Sequence, residues 1–347
     1  MEVSRRNFLK LGTSTAAGTF LLGHGMLTTQ AMAAAELTSV IYFTSTYQGV
    51  LHGAKGFVNH LAESEKGAVA MDFFHSGQLV KADEQLPALR AGSIDLMFHA
   101  TSYITRSFPV LGITGMPGVV GELYRHPERL KLGSPLFNLI NEELAKENLY
   151  MLSAGGGILE PEYIWSTEDS QIRSLEDLRG KKVRIASFEA TKAAELYQVA
   201  AVRLTSSETY LALQRGIVDA AVANIGTVAG RSLYEQISTC YQLPLTAYTV
   251  APFMLRSRWD ALDADVKDAL QGAAQWYDNN MVAYCNNVVY PEKYWPTTID
   301  AGVEVIQPTE SDLTAFNEST HAVWDHWKGV VGKETGDRAI ALALGQS

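Results

Sequence analysis

Leu37-Thr38-Ser39-Val40-Ile41-Tyr42-Phe43 alternates in polarity and is rich in β-branched and aromatic side chains, the pattern of a β-strand. A Thr/Ser loop follows, and residues 50–65 then carry their apolar positions at helical spacing. Residues 69–74 read as a second strand and 82–92 as a second helix. Residues 94–98 read as a third strand, whose near-continuous apolar character predicts burial on both faces. Strand-helix-strand-helix-strand is the order of a parallel α/β sheet. In open sheets of this kind ligands sit outside the carboxyl ends of the strands. That singles out the polar loops at 44–48, 75–78 and 100–103, and with them Tyr47, Gln48, His75, Thr101, Ser102 and Tyr103.

Further along, Gly155-Gly156-Gly157 opens a second unit. Ser174-Leu175-Glu176-Asp177-Leu178-Arg179-Gly180 is a capped helical turn closed by glycine, feeding a strand at 181–185. Helices are expected at 191–200 and at 206–215, the latter capped by Ser207, and a strand at 217–222. The apolar run 247–255 returns towards the first unit. From Asp263, the residues Val266, Leu270, Ala273, Tyr277, Met281, Tyr284 and Val288 recur at steps of three and four. They predict a single helix of about 25 to 30 residues, long enough to act as a spine for both units.

The amino-terminal residues belong to neither unit. Ser4-Arg5-Arg6-Asn7-Phe8-Leu9-Lys10, an apolar stretch to Leu27 and the exit Ala31-Met32-Ala33 have the form of a twin-arginine signal peptide over residues 1–33. Export to the periplasm is the expected consequence. The whole chain has a net charge of −10, and removing the leader takes away three cations and one anion, leaving an acidic protein. Nucleic-acid binding, which needs a basic face, is thereby disfavoured. Cys240 and Cys285 show no CxxC or metal-ligand spacing and read as two buried thiols.

Three stretches in order resemble the extracytoplasmic solute receptors of TRAP transporters, the DctP-type family. They are Ser76-Gly77-Gln78-Leu79 with Leu89-Arg90-Ala91-Gly92-Ser93-Ile94-Asp95, the turn from Ser174 to Arg184, and Glu208-Thr209-Tyr210-Leu211-Ala212-Leu213-Gln214-Arg215-Gly216-Ile217-Val218-Asp219. The resemblance implies a two-lobed α/β fold like the type II periplasmic binding proteins, with crossing strands and a long spine helix. Lobe I would comprise residues 36–160 and 250–288, and lobe II residues 161–249 and 289–347. It also implies a receptor, not an enzyme, that binds a small organic acid between the lobes and delivers it to a TRAP permease after export by the Tat translocase.

By the same resemblance Arg184 pairs with the ligand carboxylate. A planar guanidinium suits that role, because it offers two parallel donors and stays charged when desolvated. The family's amide position falls at Asn224. Many relatives carry a second arginine in the stretch read here as Ile158-Leu159-Glu160-Pro161-Glu162-Tyr163-Ile164-Trp165, where no cation stands. A monocarboxylate is therefore expected, with Trp165, Phe188, Tyr47 and Tyr103 as a candidate aromatic wall.

Neither HExxH, GxSxG nor a P-loop is present. His321 and His326 are spaced for different helix faces, and no metal or cofactor is expected. Glu160 and Glu162, without a nucleophile beside them, read as polar loop residues. Two alternatives remain at this level. One is a periplasmic enzyme on the same scaffold using Glu160 or His75; the other is an ABC-type receptor, from which the long helix after Asp263 would distinguish this chain.

Overall fold

A computed structural model describes residues 35–63 and 68–346; the leader, its cleavage point and the last residue lie outside them. Four strands open the chain: β1 (Ala35–Ile41), β2 (Val69–Phe74), β3 (Leu96–Ala100) and β4 (Leu149–Met151). Five more follow: β5 (Glu162–Ser166), β6 (Lys182–Arg184), β7 (Ala200–Val202), β8 (Ala220–Ala223) and β9 (Thr239–Thr246). The last two are β10 (Val250–Leu255) and β11 (Glu304–Ile306).

The first sheet has the order β2-β1-β3-β10-β4, and the second β11-β9-β5-β8-β6-β7. β1 pairs in parallel with both β2 and β3, as the opening pattern predicts, and every residue of β3 is buried. β10 is the predicted return: it leaves the second sheet after β9 and runs antiparallel between β3 and β4. Two apolar cores each draw on both sheets. One joins Val40, Met97 and Phe253 to Ile164, Val183 and Ala220; the other joins Leu37, Phe98 and Tyr277 to Trp165, Ala221 and Val228.

The spine is longer than the periodicity predicts. It begins at Ala264, passes through a π-helical stretch at Cys285–Tyr294 that contains Pro291, and continues as the α-helix Trp295–Asp300. Pro291 lacks an N–H, and the wider π turn lets the helix continue past it. The α-helical part lies along the helix Gln48–Ala62 of the first sheet, while the later part packs on the short helix Ile225–Gly230 of the second. The contact with Gln48–Ala62 is close because that helix presents glycine: a Cβ on Gly53 would stand 2.5 Å from Met281 Cγ. No helix among the described residues is long and apolar enough to cross a membrane.

Several boundaries differ from expectation. The helix expected at 191–200 is Phe188–Glu195, capped by Ser187, whose hydroxyl accepts the Ala190 N–H at 3.0 Å. Residues 200–202 instead form β7, where pairing with β6 outweighs the helix propensity of the alanines. The helix expected to be capped at Ser207 is capped at Thr205, because the Glu208 carboxylate reaches back to the Thr205 N–H at 2.8 Å. The second helix begins as a 3-10 turn, Ala82–Glu84, before Gln85–Arg90.

Candidate functional site

β6 ends at Arg184 between β7 and β8, so its side chain leaves the sheet at a carboxyl edge. The side chain is only 2% exposed. Nε donates to the Leu204 carbonyl at 3.0 Å and Nη1 to the Val222 carbonyl at 2.9 Å, which fixes the plane of the guanidinium. Nη2 points across to the first sheet and donates to the Tyr103 hydroxyl at 3.3 Å.

Tyr103 comes from the 3-10 turn Thr101–Tyr103 at the carboxyl end of β3. Its hydroxyl oxygen also accepts the backbone N–H of Ser206, 2.8 Å away, at the start of the helix Ser206–Gln214. A guanidinium donor and a helix N-terminal N–H thus converge on one oxygen. These are the donors that bind anions in proteins generally, and here a neutral phenol holds the place.

The cavity beside this contact has a volume of about 10 Å³, room for one water at most. Tyr42, Phe43, Ser102 and Tyr103 wall it from the first sheet, and Glu162, Arg184, Ser206 and Thr227 from the second, with Tyr248 on the connection between them. Tyr42 stacks on Phe43 and on Tyr103, with ring centroids 4.2 and 5.5 Å apart. Outside Tyr103 lies a wider hollow of about 570 Å³, whose lining includes Arg90 and Arg203.

The acidic partner in the cavity is Glu162, not a loop residue but the first residue of β5, at a point where the register with β9 slips. It is 3% exposed. Burial lifts its carboxyl to about 7, with Arg184 pulling partly back. Glu160 is also buried and lifted to about 7, but it faces the spine, where the Trp295 indole N–H donates to it at 3.0 Å.

Of the residues singled out from sequence, Arg184, Ser102 and Tyr103 line this cavity. Tyr47 stands just behind it: its buried hydroxyl has no hydrogen-bond partner, and the neighbouring hydroxyls that act on it are those of Ser206 and Thr227. Asn224 is buried as the cap of the helix Ile225–Gly230; its side-chain oxygen accepts from Thr227 N at 2.9 Å and from the Tyr248 hydroxyl at 3.2 Å, so it braces the wall from outside. Thr101 is likewise one layer back, hydrogen-bonded to Thr114.

The other four are placed elsewhere. Trp165 is fully buried core, its indole N–H donating to Ala223 O at 2.7 Å. Phe188 does not line the small cavity, but it borders a neighbouring hollow of about 300 Å³ together with Ser102, Tyr103 and Arg203, and Arg106 and Lys192 each lie 5.5 Å from its ring centre. Gln48 is exposed and accepts from Lys293, and His75 hydrogen-bonds Ser76.

Sequence reasoning missed Glu162 as a wall residue, together with Tyr42, Phe43, Ser206, Thr227 and Tyr248. Tyr42 and Phe43 follow directly on β1, so the carboxyl-end rule could have reached them one step earlier. It also missed Arg231, whose guanidinium lies 5.3 Å from the Tyr47 ring centre and donates to the Ser206 hydroxyl at 3.3 Å. Lys182 is exposed on β6 and stands outside the cavity. Among the described residues no three His, Cys, Asp or Glu side chains converge as a metal site.

Residues 42–329 match the model of the bacterial extracellular solute-binding proteins, family 7. The chain belongs to this family. A relative, the C4-dicarboxylate-binding periplasmic protein of Rhodobacter capsulatus, is 25% identical over 82% of this chain and 84% of its own. Among solved structures, a TRAP periplasmic solute-binding protein from Rhodoferax ferrireducens with bound malonate superposes with a TM-score of 0.76 at 20% identity, covering 89% of this chain and 98% of that one. An extracytoplasmic solute receptor from Bordetella pertussis binding pyroglutamic acid gives 0.76 at 15% identity, covering 89% and 99%. The fold is thus the two-lobed one of these receptors. As a family 7 member the chain is an extracytoplasmic solute-binding protein, not an enzyme.

Proposed function

We propose that this family 7 protein captures a small monocarboxylic acid in the cavity at Arg184 and delivers it to the membrane subunits of a TRAP-type secondary transporter. The observation that carries the reading is the Tyr103 hydroxyl held by Arg184 Nη2 and Ser206 N. An incoming carboxylate displaces that phenol and takes both donors, gaining charge-assisted hydrogen bonds. The Ser102 and Thr227 side chains, which line the cavity, are at hand for a further polar group on the acid.

The cavity is smaller than any organic acid, so entry requires Tyr103 and its sheet to move away from Arg184. The bodies that part are lobe I, residues 36–160 with 250–288, and lobe II, residues 161–249 with 289–347, hinged where the chain crosses between sheets. Arg184 is the one cation among the described residues that line the cavity, and Glu162 lines it too, so a second carboxylate placed there would be buried without a cation of its own, at a cost of several kcal/mol. Export through the Tat translocase by the twin-arginine leader places the receptor in the periplasm.

A thermal-shift screen of organic acids tests this. An acid at about a hundred times its dissociation constant adds about 2.7 kcal/mol of stability. Monocarboxylates are expected to stabilise. Strong stabilisation by C4-dicarboxylates with none by monocarboxylates would overturn the ligand class.

A further inference from the structure

The wall of the cavity carries two ionisable side chains of opposite kind. Arg184 supplies a positive charge and Glu162, when ionised, a negative one, both almost completely buried and both on the wall of the same small space. Among the described residues Glu162 forms no direct ion pair, and the one charged group acting on it is the Arg184 guanidinium. Arg184 in turn directs its fork at two carbonyls and the Tyr103 hydroxyl rather than at Glu162. The two charges are therefore held apart by their separate scaffolds, β5 and β6, which are not adjacent in the sheet but flank β8. A simple carboxylate beside an ionised Glu162 would add a buried negative charge that no further side chain on the cavity wall matches, so it would bind with Glu162 protonated, whereas a ligand that brings its own cation lets Glu162 stay ionised.

Building on the carboxylate reading above, we propose that the ligand carries a cationic nitrogen as well as its carboxylate: an amino or imino acid in its zwitterionic form. Its carboxylate pairs with Arg184 and the Ser206 N–H, and its ammonium faces Glu162. Each of the two charges on the cavity wall is then opposed by one on the ligand, while Arg231 stands behind the wall, where it donates to the Ser206 hydroxyl. Tyr42 and Tyr248 line the same space, and aromatic residues there are compatible with a cation. Glu162 is in this account the specificity-determining residue, and Arg184 the anchor shared by every carboxylate.

The test compares matched pairs that differ only in nitrogen against oxygen: alanine and lactate, phenylalanine and phenyllactate, proline and tetrahydrofuran-2-carboxylate. Calorimetry on the wild-type protein is expected to show the nitrogen member of the best-fitting pair binding at least tenfold more tightly. In Glu162→Gln that preference should collapse, with the amino acid weakened at least tenfold and the oxygen acid unchanged or improved. The wild-type comparison stands even if the variant fails to fold. An oxygen acid that binds the wild type as tightly as its nitrogen partner overturns the inference. So does a nitrogen member that binds with uptake of a proton, read by comparing buffers of different ionisation enthalpy, because Glu162 would then have been neutralised instead. In either case the carboxylate reading survives. If neither series binds, or if Arg184→Ala binds both members of a pair unchanged, that reading falls as well.

Discussion

Replacing Arg184 should separate two roles that the structure combines in one side chain. In the ligand-free protein Nε and Nη1 satisfy the Leu204 and Val222 carbonyls. Arg184→Ala leaves both without that partner, and a buried polar group so orphaned costs about 1 to 3 kcal/mol. The two are close neighbours and their costs are not strictly additive, so about 3 kcal/mol is the expected loss of folded stability. In a chain of this size that lowers the melting temperature by several degrees. The second loss is in binding. Truncating one partner of a buried, hydrogen-bonded charge pair costs about 2 to 5 kcal/mol, and each 1.4 kcal/mol is about tenfold in affinity. Arg184→Ala should therefore bind its acid at least tenfold more weakly. Arg184→Lys keeps the charge but has one nitrogen where three are used, so it should regain part of the melting temperature and little of the affinity. Thermal unfolding without ligand and calorimetry with the acid found by screening read the two losses separately. Unchanged affinity in Arg184→Ala would refute the ligand role outright, and an unchanged melting temperature would refute the account of how the guanidinium is held.

Gly156 turns at φ +86 where the chain leaves the first sheet, and a Cβ there would stand 1.9 Å from the backbone carbonyl oxygen of Asp278 on the spine. Gly156→Ala combines a strained backbone with a clash against an atom that cannot move away, so it should destabilise by more than about 1 to 3 kcal/mol; a melting temperature within a degree of wild type would sink that reading. Stability should also depend on pH through Glu189, a buried carboxyl near the Trp327 indole that burial lifts to about 7. Between about pH 4.5 and 7 the folded state holds a proton that the unfolded chain has released, so its contribution is fully present below the unfolded value and lost as pH rises through 7. His99, lowered by burial to about 3, acts in the opposite direction below about pH 6.5. The readout is therefore the difference between wild type and Glu189→Gln, which should favour the variant increasingly from pH 5 to 8; a difference that stays flat would contradict the burial argument.

What could be read from the sequence, and what could not, follows from how local each determinant is. β2 is set by its own residues, and the spine by a repeat of apolar positions, so both were legible; only the extension past Pro291 was not, because a proline ordinarily ends a helix and here a π turn carries it through. The alanines at 200 and 201 favour helix locally and become strand only because β6 offers an edge beside them. The site divides in the same way. Ser102 and Tyr103 sit at the end of β3, where a general rule about α/β sheets points; Arg184 also ends a strand, but it was the resemblance to the solute receptors that singled it out. Glu162 was marked by neither: Glu160-Pro161-Glu162 has the composition of a turn, and only the crossing from the first sheet into β5, with the register slip against β9, brings its side chain to the same space as Arg184. Whether a buried carboxylate is a liability or a recognition element depends on what stands opposite it. Arg184 lies more than twenty positions from Glu162 on a non-adjacent strand, so their meeting at one cavity is a property of the folded chain and not of any stretch of it.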